Sequence, residues 1–276
     1  MAAKSSSWGS SSRIAATEKW KAKSAFMGRA VTEALVEYAQ PQPGMQVLDL
    51  ACGTGEPGIS VAHRVAAHGR VTAVDQSPEL LQVAAQRAKD RGLTNFETQP
   101  ADAHKLPFPD HRFDLATCRF GVMFFADPER AMVELRRVLK PGARACFVVW
   151  GPFEQPYWQS TIKVVHRHIG GTMLEPGGPD PFRFSVPGSL SQVLCSAGFQ
   201  EVEESVRTVP WTWPGDTAEV LEYFRYCSTA FQPLLDRVPQ EKWPAILAEA
   251  RAAIEHYRVG DEIRFGANVV LASGRA

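Results

Sequence analysis

Short apolar runs recur along the first 150 residues of the chain, and segments with helical spacing separate them. The runs predict five buried strands, at 47–50, 70–75, 96–99, 113–118 and 143–150. Apolar residues at helical spacing predict helices between these strands, at about 59–67, 78–91 and 128–140. Strands and helices that alternate in this order predict an α/β fold, a parallel sheet with helices on both faces.

After Trp150 this alternation stops. Residues 151–187 are rich in Pro, Gly and aromatic side chains, with one predicted helix at 157–169. Further helices are predicted at 189–197, 217–231 and 241–257, and strands at 202–209 and 262–271. We therefore predict a disordered tail at 1–16 and a single domain over 17–276, whose helical cap comes from insertions at about 151–187 and 214–260. A helix at 17–38 either covers the core or acts as a lid.

Composition narrows the classes of partner. The chain is 45% apolar and 22% charged, which is typical of a soluble globular protein. Its 30 basic and 30 acidic residues cancel, so no global field would attract nucleic acid or an anionic membrane. No run of about 18 apolar residues predicts a membrane span, and no signal peptide is recognised. We expect a cytoplasmic protein, and its oligomeric state is left open.

The five cysteines are odd in number and widely spaced, which favours free thiols in a reducing compartment over disulfides or a metal site. No His and carboxylate cluster with metal-ligand spacing is present in the sequence, so no metal is expected.

A glycine-rich turn follows the first strand. Gly53, Gly55 and Gly58 fit the pattern G-x-G-x-x-G, and Asp75 lies about where a ribose-binding acid is expected. Glycines at such a turn permit positive φ and let a ligand approach the backbone. This pattern is shared by dinucleotide enzymes and by other nucleoside binders, so it does not identify the nucleotide.

Two further carboxylates narrow the choice. Asp49 lies inside the first strand, where a buried charge is costly unless a ligand or donor satisfies it. Asp102 follows the third strand, at the sheet edge where ligands of open α/β sheets bind. The turn contains no Lys or Arg that could hold a phosphate. A ligand with an ammonium group, a ribose diol and an adenine amine fits this set, and S-adenosylmethionine has all three.

Each carboxylate has a predicted role and a simpler alternative. Asp49 would face the methionine end directly or through water, Asp75 would accept both ribose hydroxyls, and Asp102 would accept from the adenine amine. Alternatively, Asp49 only caps a helix or bonds backbone amides, and Asp102 is an ordinary turn residue.

Five further segments of the sequence occur in a characteristic order and spacing: VLDLACGTG (47–55), AVDQS (73–77), ADA (101–103), LPFPDHRFD (106–114) and RVLKPG (137–142). Together they resemble the motifs of class I S-adenosylmethionine-dependent methyltransferases. The similarity is greatest to small-molecule enzymes related to the ubiquinone/menaquinone-biosynthesis C-methyltransferases, and covers about residues 20–150. Ala143 departs from the family's usual glycine, at a turn remote from the chemistry.

The resemblance implies a Rossmann-like, mostly parallel sheet of seven strands, the last antiparallel, with helices on both faces and a helical substrate cap. It implies a methyltransferase with a small-molecule acceptor. The cofactor-binding positions that it implies are Asp49, Ala51, Gly53, Thr54, Gly55, Asp75, Gln76, Asp102, Ala103, Arg119 and Phe120.

Aromatic residues after the fourth and fifth strands predict a wall that excludes water and favours an apolar or aromatic acceptor. Alternatively, several of these side chains only seal the core. The predicted acceptor-binding residues are Trp20, Phe26, Phe120, Met123, Phe124, Trp150, Phe153, Tyr157 and Trp158.

The general base is not identified by sequence. His166 and His168 are weak candidates, and their spacing places them on different faces of a helix, so that at most one points inward. We favour an oxygen or carbon nucleophile, with sulfur and nitrogen left open. The alternatives are a non-catalytic S-adenosylmethionine-binding protein and a NAD-dependent oxidoreductase.

Overall fold

The computed structural model describes residues 19–276. The predicted disordered tail at 1–16 lies outside these residues, as do the first two residues of the helix predicted at 17–38. The rest of that prediction is wrong in one respect, because the segment forms two helices, α1 (Lys21–Met27) and α2 (Arg29–Ala39). The break falls at Gly28, and glycine is among the poorest helix formers.

The described residues form one sheet, whose strands are β1 (Gln46–Leu50), β2 (Arg70–Asp75), β3 (Phe96–Pro100), β4 (Phe113–Arg119), β5 (Leu139–Trp150), β6 (Gln200–Pro214), β7 (Arg258–Val259) and β8 (Glu262–Arg275). The strand order is β3-β2-β1-β4-β5-β8-β6, and β7 pairs with β8. Strands β1 to β5 pair in parallel, and β8 runs antiparallel to β5. The predicted mostly parallel α/β sheet is confirmed.

The predicted strand number, seven, is wrong, since the described residues form eight strands. The additional strand is β7, two exposed residues that pair with the beginning of β8. Gly260, with φ of +61°, belongs to the two-residue connection between them. Such turns favour residues that adopt positive φ, and a two-residue strand is too short to produce a hydrophobic pattern.

Side-chain caps begin two of the helices on the sheet. Ser77 accepts a hydrogen bond from the Leu80 amide, Asp127 accepts from the Arg130 amide, and a proline follows each cap. The helices after α2 are α3 (Gly58–Val65), α4 (Pro78–Asp90), α5 (Pro128–Val138), α6 (Pro156–Ser160), α7 (Ile162–Ile169), α8 (Ser189–Ser196), α9 (Thr217–Cys227), α10 (Gln232–Asp236) and α11 (Trp243–Glu255).

The helix predicted at 157–169 is interrupted. Thr161 takes a non-helical conformation (φ −121°, ψ −86°) between α6 and α7. Its hydroxyl donates to the Tyr157 carbonyl at 2.7 Å. A threonine side chain that bonds its own backbone competes with regular helical bonding, and the apolar pattern does not reveal this.

The chain divides into two compact units. The first, here called the sheet unit, comprises Val31–Gly151, Phe182–Arg207 and Val269–Ala276. It contains β1 to β5, and α3 and α4 pack on β2 and β3. Its largest fully buried side chains include Phe113, Leu115 and Phe147.

The second, here called the aromatic unit, comprises residues 19–30, Pro152–Pro181 and Thr208–Asn268. Trp213, Phe224 and Phe231 are among its fully buried side chains. The prediction of one domain with two cap insertions stays a prediction. Among the described residues the longest helices have 13 residues, and none is long and apolar enough to cross a membrane.

Candidate functional site

The turn that joins β1 to α3 lies at the carboxyl edge of the sheet. It is attached to β2, because the Cys52 amide donates to the Val74 carbonyl at 2.9 Å. Gly55 has φ of +107°, a conformation that other residues rarely adopt, and an added Cβ would lie 3.3 Å from the Ala84 Cβ and 2.7 Å from Ile59 Cδ1. An added Cβ at Gly53 would meet no atom within 4 Å. The space above Gly53 is therefore open to a ligand that approaches the backbone.

Asp75, at the end of β2, organises this turn. Its Oδ2 accepts a hydrogen bond from the Gly53 amide at 2.9 Å, and its Oδ1 accepts from the Ser77 amide at 3.0 Å. Asp75 is half-buried. Because each carboxylate oxygen has two acceptor positions, Asp75 can hold the glycine turn and still accept from ligand hydroxyls.

Asp49 is completely buried within β1. It accepts from the Gly58 amide, at the start of α3, and from the Thr117 hydroxyl, each at 2.9 Å. Burial raises the pKa of Asp49 to about 7, against the opposing effect of these two hydrogen bonds. These contacts are those that the capping alternative predicts. The proposed contact with the methionine end of a cofactor stays a prediction.

Asp102 follows β3 and lies beside Asp75, because the Ala101 amide donates to the Asp75 carbonyl at 3.0 Å. Oδ1 of Asp102 accepts from Gln76 Nε2 at 3.1 Å and from the His104 amide at 2.9 Å, and it lies 2.6 Å from His104 Nδ1. Burial raises the pKa of Asp102, but the hydrogen bonds from His104 and Gln76 outweigh it and hold the pKa below the usual value. Its side chain is 53% exposed, so this ionised carboxylate is accessible.

Arg87 supports the glycine turn, although the sequence did not identify it as functional. Its Nη1 donates to the Thr54 carbonyl at 2.7 Å and to the Thr54 hydroxyl at 2.9 Å, and the residue is only 8% exposed. The available signal was its position, because this arginine falls on the apolar face of α4 with Leu80, Leu81, Ala84 and Ala88.

Arg119 is the last residue of β4, and Phe120 lies just beyond it. Phe120 has φ of +58°, and its ring stacks on Trp150 at a centroid distance of 4.4 Å and an angle of 13°. Arg119 donates to the Thr32 hydroxyl at 3.1 Å. Positive φ at a bulky residue is strained and is common at functional sites. Ala51 shares this feature at the neighbouring strand, with φ of +54°.

The turns after β1 and β4 are closely packed. A Cβ at Gly121 would lie 2.5 Å from the Ala51 Cβ, which leaves room only for glycine. Beyond it, Met123 is buried and Phe124 is half-buried in a 3₁₀ turn, Val122–Phe124. Ala103, another predicted cofactor residue, is buried.

The other predicted acceptor residues belong to the aromatic unit. Trp20 contacts Trp213 at a centroid distance of 5.3 Å, and Tyr157 contacts Trp158 at 4.8 Å. Phe26 and Phe153 are half-buried. Ring contacts within this unit account for the burial of both tryptophans and Tyr157. Their roles toward an acceptor stay predictions.

Both candidate histidines on α7 have partners within the aromatic unit. His166 Nε2 lies 2.8 Å from the Gly171 carbonyl oxygen, and His168 Nε2 lies 2.6 Å from Glu249 Oε2. Both residues are partly exposed, and their role as a base stays a prediction. Across residues 19–276, no group of three or more His, Cys, Asp or Glu side chains could hold a metal ion.

A polar cleft of about 330 Å³ in the sheet unit contains none of the predicted residues. Two of its arginines are already engaged: Arg144 donates to the Tyr38 carbonyl and to Ser273, and Arg275 pairs with Glu201. Arg144 pairs with Leu115 near the start of β4. The cleft is therefore at the edge of the sheet opposite the glycine turn.

Comparison with known proteins gives consistent matches. A family model described as "Methyltransferase domain" matches residues 41–150. The ubiquinone/menaquinone biosynthesis C-methyltransferase UbiE of Shewanella piezotolerans is 32% identical over 181 residues, covering 60% of this chain and 71% of the relative. The UbiE enzyme of Burkholderia cenocepacia is 36% identical over 146 residues, covering 51% of this chain and 60% of the relative.

A solved structure has the same fold. The structure of a SAM-dependent methyltransferase from Aquifex aeolicus matches with a TM-score of 0.53 and 22% identity, covering 70% of this chain and 92% of that one. At this level of identity the match shows the fold alone.

Proposed function

Since this chain belongs to the S-adenosylmethionine-dependent methyltransferases, we propose that it methylates a small apolar or aromatic acceptor at an oxygen or carbon atom. The stacked pair of Phe120 and Trp150 carries the acceptor part of this proposal, because it places two apolar rings face to face at the end of β4. Phe120 precedes Gly121, which packs against Ala51 of the glycine turn. The relatives are named C-methyltransferases of ubiquinone and menaquinone biosynthesis, so aromatic ring carbons are the first acceptors to test.

The residues of the sheet edge fit the cofactor. Asp75 would accept from the ribose hydroxyls and Asp102 from the adenine amine. Asp49 would balance the positive charge at the methionine end, directly or through water. The guanidinium of Arg87 is turned toward Thr54, which supports a ligand without phosphates over a dinucleotide. The other residues proposed to line the cofactor are Ala51, Gly53, Thr54, Gly55, Gln76, Ala103, Arg119 and Phe120.

When bound, the cofactor supplies a methyl group on a positively charged sulfur, which is already an activated leaving group. The chain supplies alignment, which can lower a barrier by roughly 7–11 kcal/mol in favourable cases. Phe120 and Trp150 would hold an acceptor ring and exclude water from it. A phenol or enol nucleophile would also lose a proton, and a positioned base such as His166 or His168 typically contributes about 10²–10⁴-fold.

Turnover with a panel of acceptors tests this proposal. The purified protein is incubated with S-adenosylmethionine and with quinols, phenols, thiols or amines, and products heavier by one methylene are sought by mass spectrometry. We expect methylated quinols or phenols. Methylation of thiols or amines alone would contradict the proposed nucleophile. Calorimetric binding of S-adenosylmethionine without turnover on any acceptor would favour a non-catalytic binding protein, and binding of NAD instead would refute the cofactor assignment.

Phe120→Ala tests the acceptor wall. The substitution removes the stacking of Phe120 on Trp150, which contributes about 0.5–1.5 kcal/mol to the packing of the two rings beyond the lost burial. We expect kcat/KM for the acceptor to fall about tenfold, while the Kd for S-adenosylhomocysteine changes less. Tyr226→Ala, at an exposed aromatic residue, is the control. Equal losses of acceptor use and cofactor affinity would argue against Phe120 as part of the wall.

We also propose that the protein acts in the cytoplasm on small molecules and does not bind nucleic acid. The balanced formal charge supports this proposal. A gel-shift experiment with duplex DNA and structured RNA at low salt tests it, and a retained complex would contradict it.

A further inference from the structure

The ring of His104 joins two segments of the sheet unit. Its Nε2 lies 3.2 Å from the backbone nitrogen of Asp127, and its Nδ1 lies 2.6 Å from Oδ1 of Asp102. A backbone N–H can only donate, so Nε2 must accept. The hydrogen of the neutral ring is then on Nδ1 and is donated to Asp102. The Asp127 amide therefore selects the tautomer that bonds the carboxylate.

The position of Asp127 is fixed by its contact with helix α5. Its side chain caps α5 by accepting from the Arg130 amide at 3.0 Å. The His104 ring also contacts the Phe125 ring edge-on, at a centroid distance of 6.0 Å. The imidazole side chain is only 15% exposed. Helix α5 and Phe125 thus restrict the ring to one position, and the ring in turn restricts Asp102.

The donors on Asp102 converge on one oxygen. Oδ1 accepts hydrogen bonds from Gln76 Nε2, the His104 amide and His104 Nδ1. Oδ2 receives none of the hydrogen bonds found within residues 19–276. A carboxylate with one oxygen saturated in this way has a fixed rotation and keeps the other oxygen available for a ligand donor.

We propose that His104 is a positioning residue for the cofactor, because it holds Oδ1 of Asp102 and so directs Oδ2 toward the adenine amine. This inference rests on the adenine contact of Asp102 in the proposed function. It assigns His104 an effect on recognition of the amine itself, beyond the ordinary stabilisation of a turn.

Two ligands that differ only at the amine test the proposal. Calorimetry compares S-adenosylhomocysteine with its 6-deamino analogue, which carries hydrogen in place of the amine and keeps the ring nitrogens. A hydrogen bond to a charged acceptor that is about half exposed should give the wild-type protein a preference of about three- to tenfold for the amine.

Three variants then separate orientation from folding. In His104→Asn the side-chain amide nitrogen replaces Nδ1, so we expect the preference to persist within about twofold. In His104→Gln the carbonyl replaces Nε2 and keeps the Asp127 contact, but the Asp102 contact is lost, so the preference should disappear. His104→Phe loses both contacts and should also lose the preference. His63→Gln, at an exposed residue of α3, is the control for a histidine substitution.

A purely structural role predicts a different result. The unfolding midpoint would fall and both ligands would weaken equally, so the ratio of their Kd values would not change. A wild-type ratio in His104→Gln or His104→Phe overturns the proposal. Asp102→Ala distinguishes the two levels of failure. If Asp102→Ala abolishes the preference and the His104 variants keep it, only the positioning role fails. If the wild-type protein shows no preference, the adenine assignment of Asp102 fails as well, and the proposal with it.

Discussion

The two units hold their predicted site residues by different forces. In the sheet unit the acidic residues bond backbone amides: Asp75 bonds Gly53 and Ser77, and Asp49 bonds Gly58. In the aromatic unit the predicted residues are held mainly by ring contacts, as between Tyr157 and Phe265 at a centroid distance of 5.6 Å.

This difference explains why the two halves of the proposed reaction are unequally encoded. A hydrogen bond to an amide tolerates only a few tenths of an ångström and a narrow angle, so a motif that makes such bonds accepts few substitutions. Ring contacts are favourable over centroid distances of about 4.5–7 Å and in several orientations. Cofactor binding is therefore predictable from position-specific motifs. Acceptor binding depends on ring packing that many different sequences can satisfy.

The largest expected effect comes from Asp75→Ala. Two ribose hydroxyls would each lose a hydrogen bond to a charged acceptor, at about 1.5–3 kcal/mol each, so S-adenosylhomocysteine should bind about a hundredfold or more weakly by calorimetry. Asp114→Ala is the matched control, because Asp114 also accepts a hydrogen bond from a backbone amide, that of Gln46. Asp114 pairs with Lys140 as well, and it lies at the opposite edge of the sheet. Full affinity in Asp75→Ala would refute the ribose contact.

Gly58→Ala tests how closely the sheet unit is built around Asp49. The added Cβ would lie 2.6 Å from Asp49 Oδ2, and such overpacking costs about 1–3 kcal/mol. We expect a lower free energy of unfolding in a denaturant titration. In Gly266→Ala the nearest contact is an ordinary 3.5 Å, so this variant is the control. Unchanged stability of Gly58→Ala would show that the amide contact to Asp49 is adaptable.

The buried acid also predicts a pH dependence of binding. Burial raises the pKa of Asp49 to about 7, so most protein molecules carry a proton on Asp49 at pH 6 and few do at pH 8. A cationic ligand must displace this proton when it binds. Affinity for S-adenosylmethionine should therefore rise with pH through about 7, by up to about tenfold between pH 6 and 8. Calorimetry in matched buffers measures this. Asp49→Asn should flatten the profile, and a wild-type affinity that falls as pH rises would contradict the charge balance.

The smallest expected effect belongs to the aromatic unit. Tyr157 is buried, and burial raises the pKa of its hydroxyl well above the usual value, against the opposing effect of the Ser228 side chain. Tyr157→Phe should lower the free energy of unfolding by about 1 kcal/mol and leave S-adenosylhomocysteine affinity unchanged. Tyr226→Phe, at a residue that is 55% exposed, should change neither. A loss of cofactor affinity in Tyr157→Phe would weaken the distinction between the units.

The sequence was sufficient where local chemistry dictates local structure. The helices predicted at 78–91 and 128–140 begin where they were predicted, since the capping oxygens of Ser77 and Asp127 and the proline after each act over only three residues. The sequence was insufficient where the local structure depends on a distant contact or on an element of only two residues. The break at Thr161, the two-residue strand β7 and the clamp of Arg87 on Thr54 all depend on partners that no periodic pattern reveals.

By itself, the sequence determined the parallel sheet, the order of its strands along the chain, the glycine turn and the three acidic positions, because alternating apolar runs and glycine spacing act locally. Only the tertiary structure decided which donors those acids receive. Asp49 accepts hydrogen bonds from the first residue of α3 and from a threonine on the neighbouring strand. Asp102 accepts a hydrogen bond from a histidine ring whose tautomer is set by an amide 23 residues further along the chain. Such contacts exist only once the strands are paired, because pairing brings together groups that the sequence holds far apart.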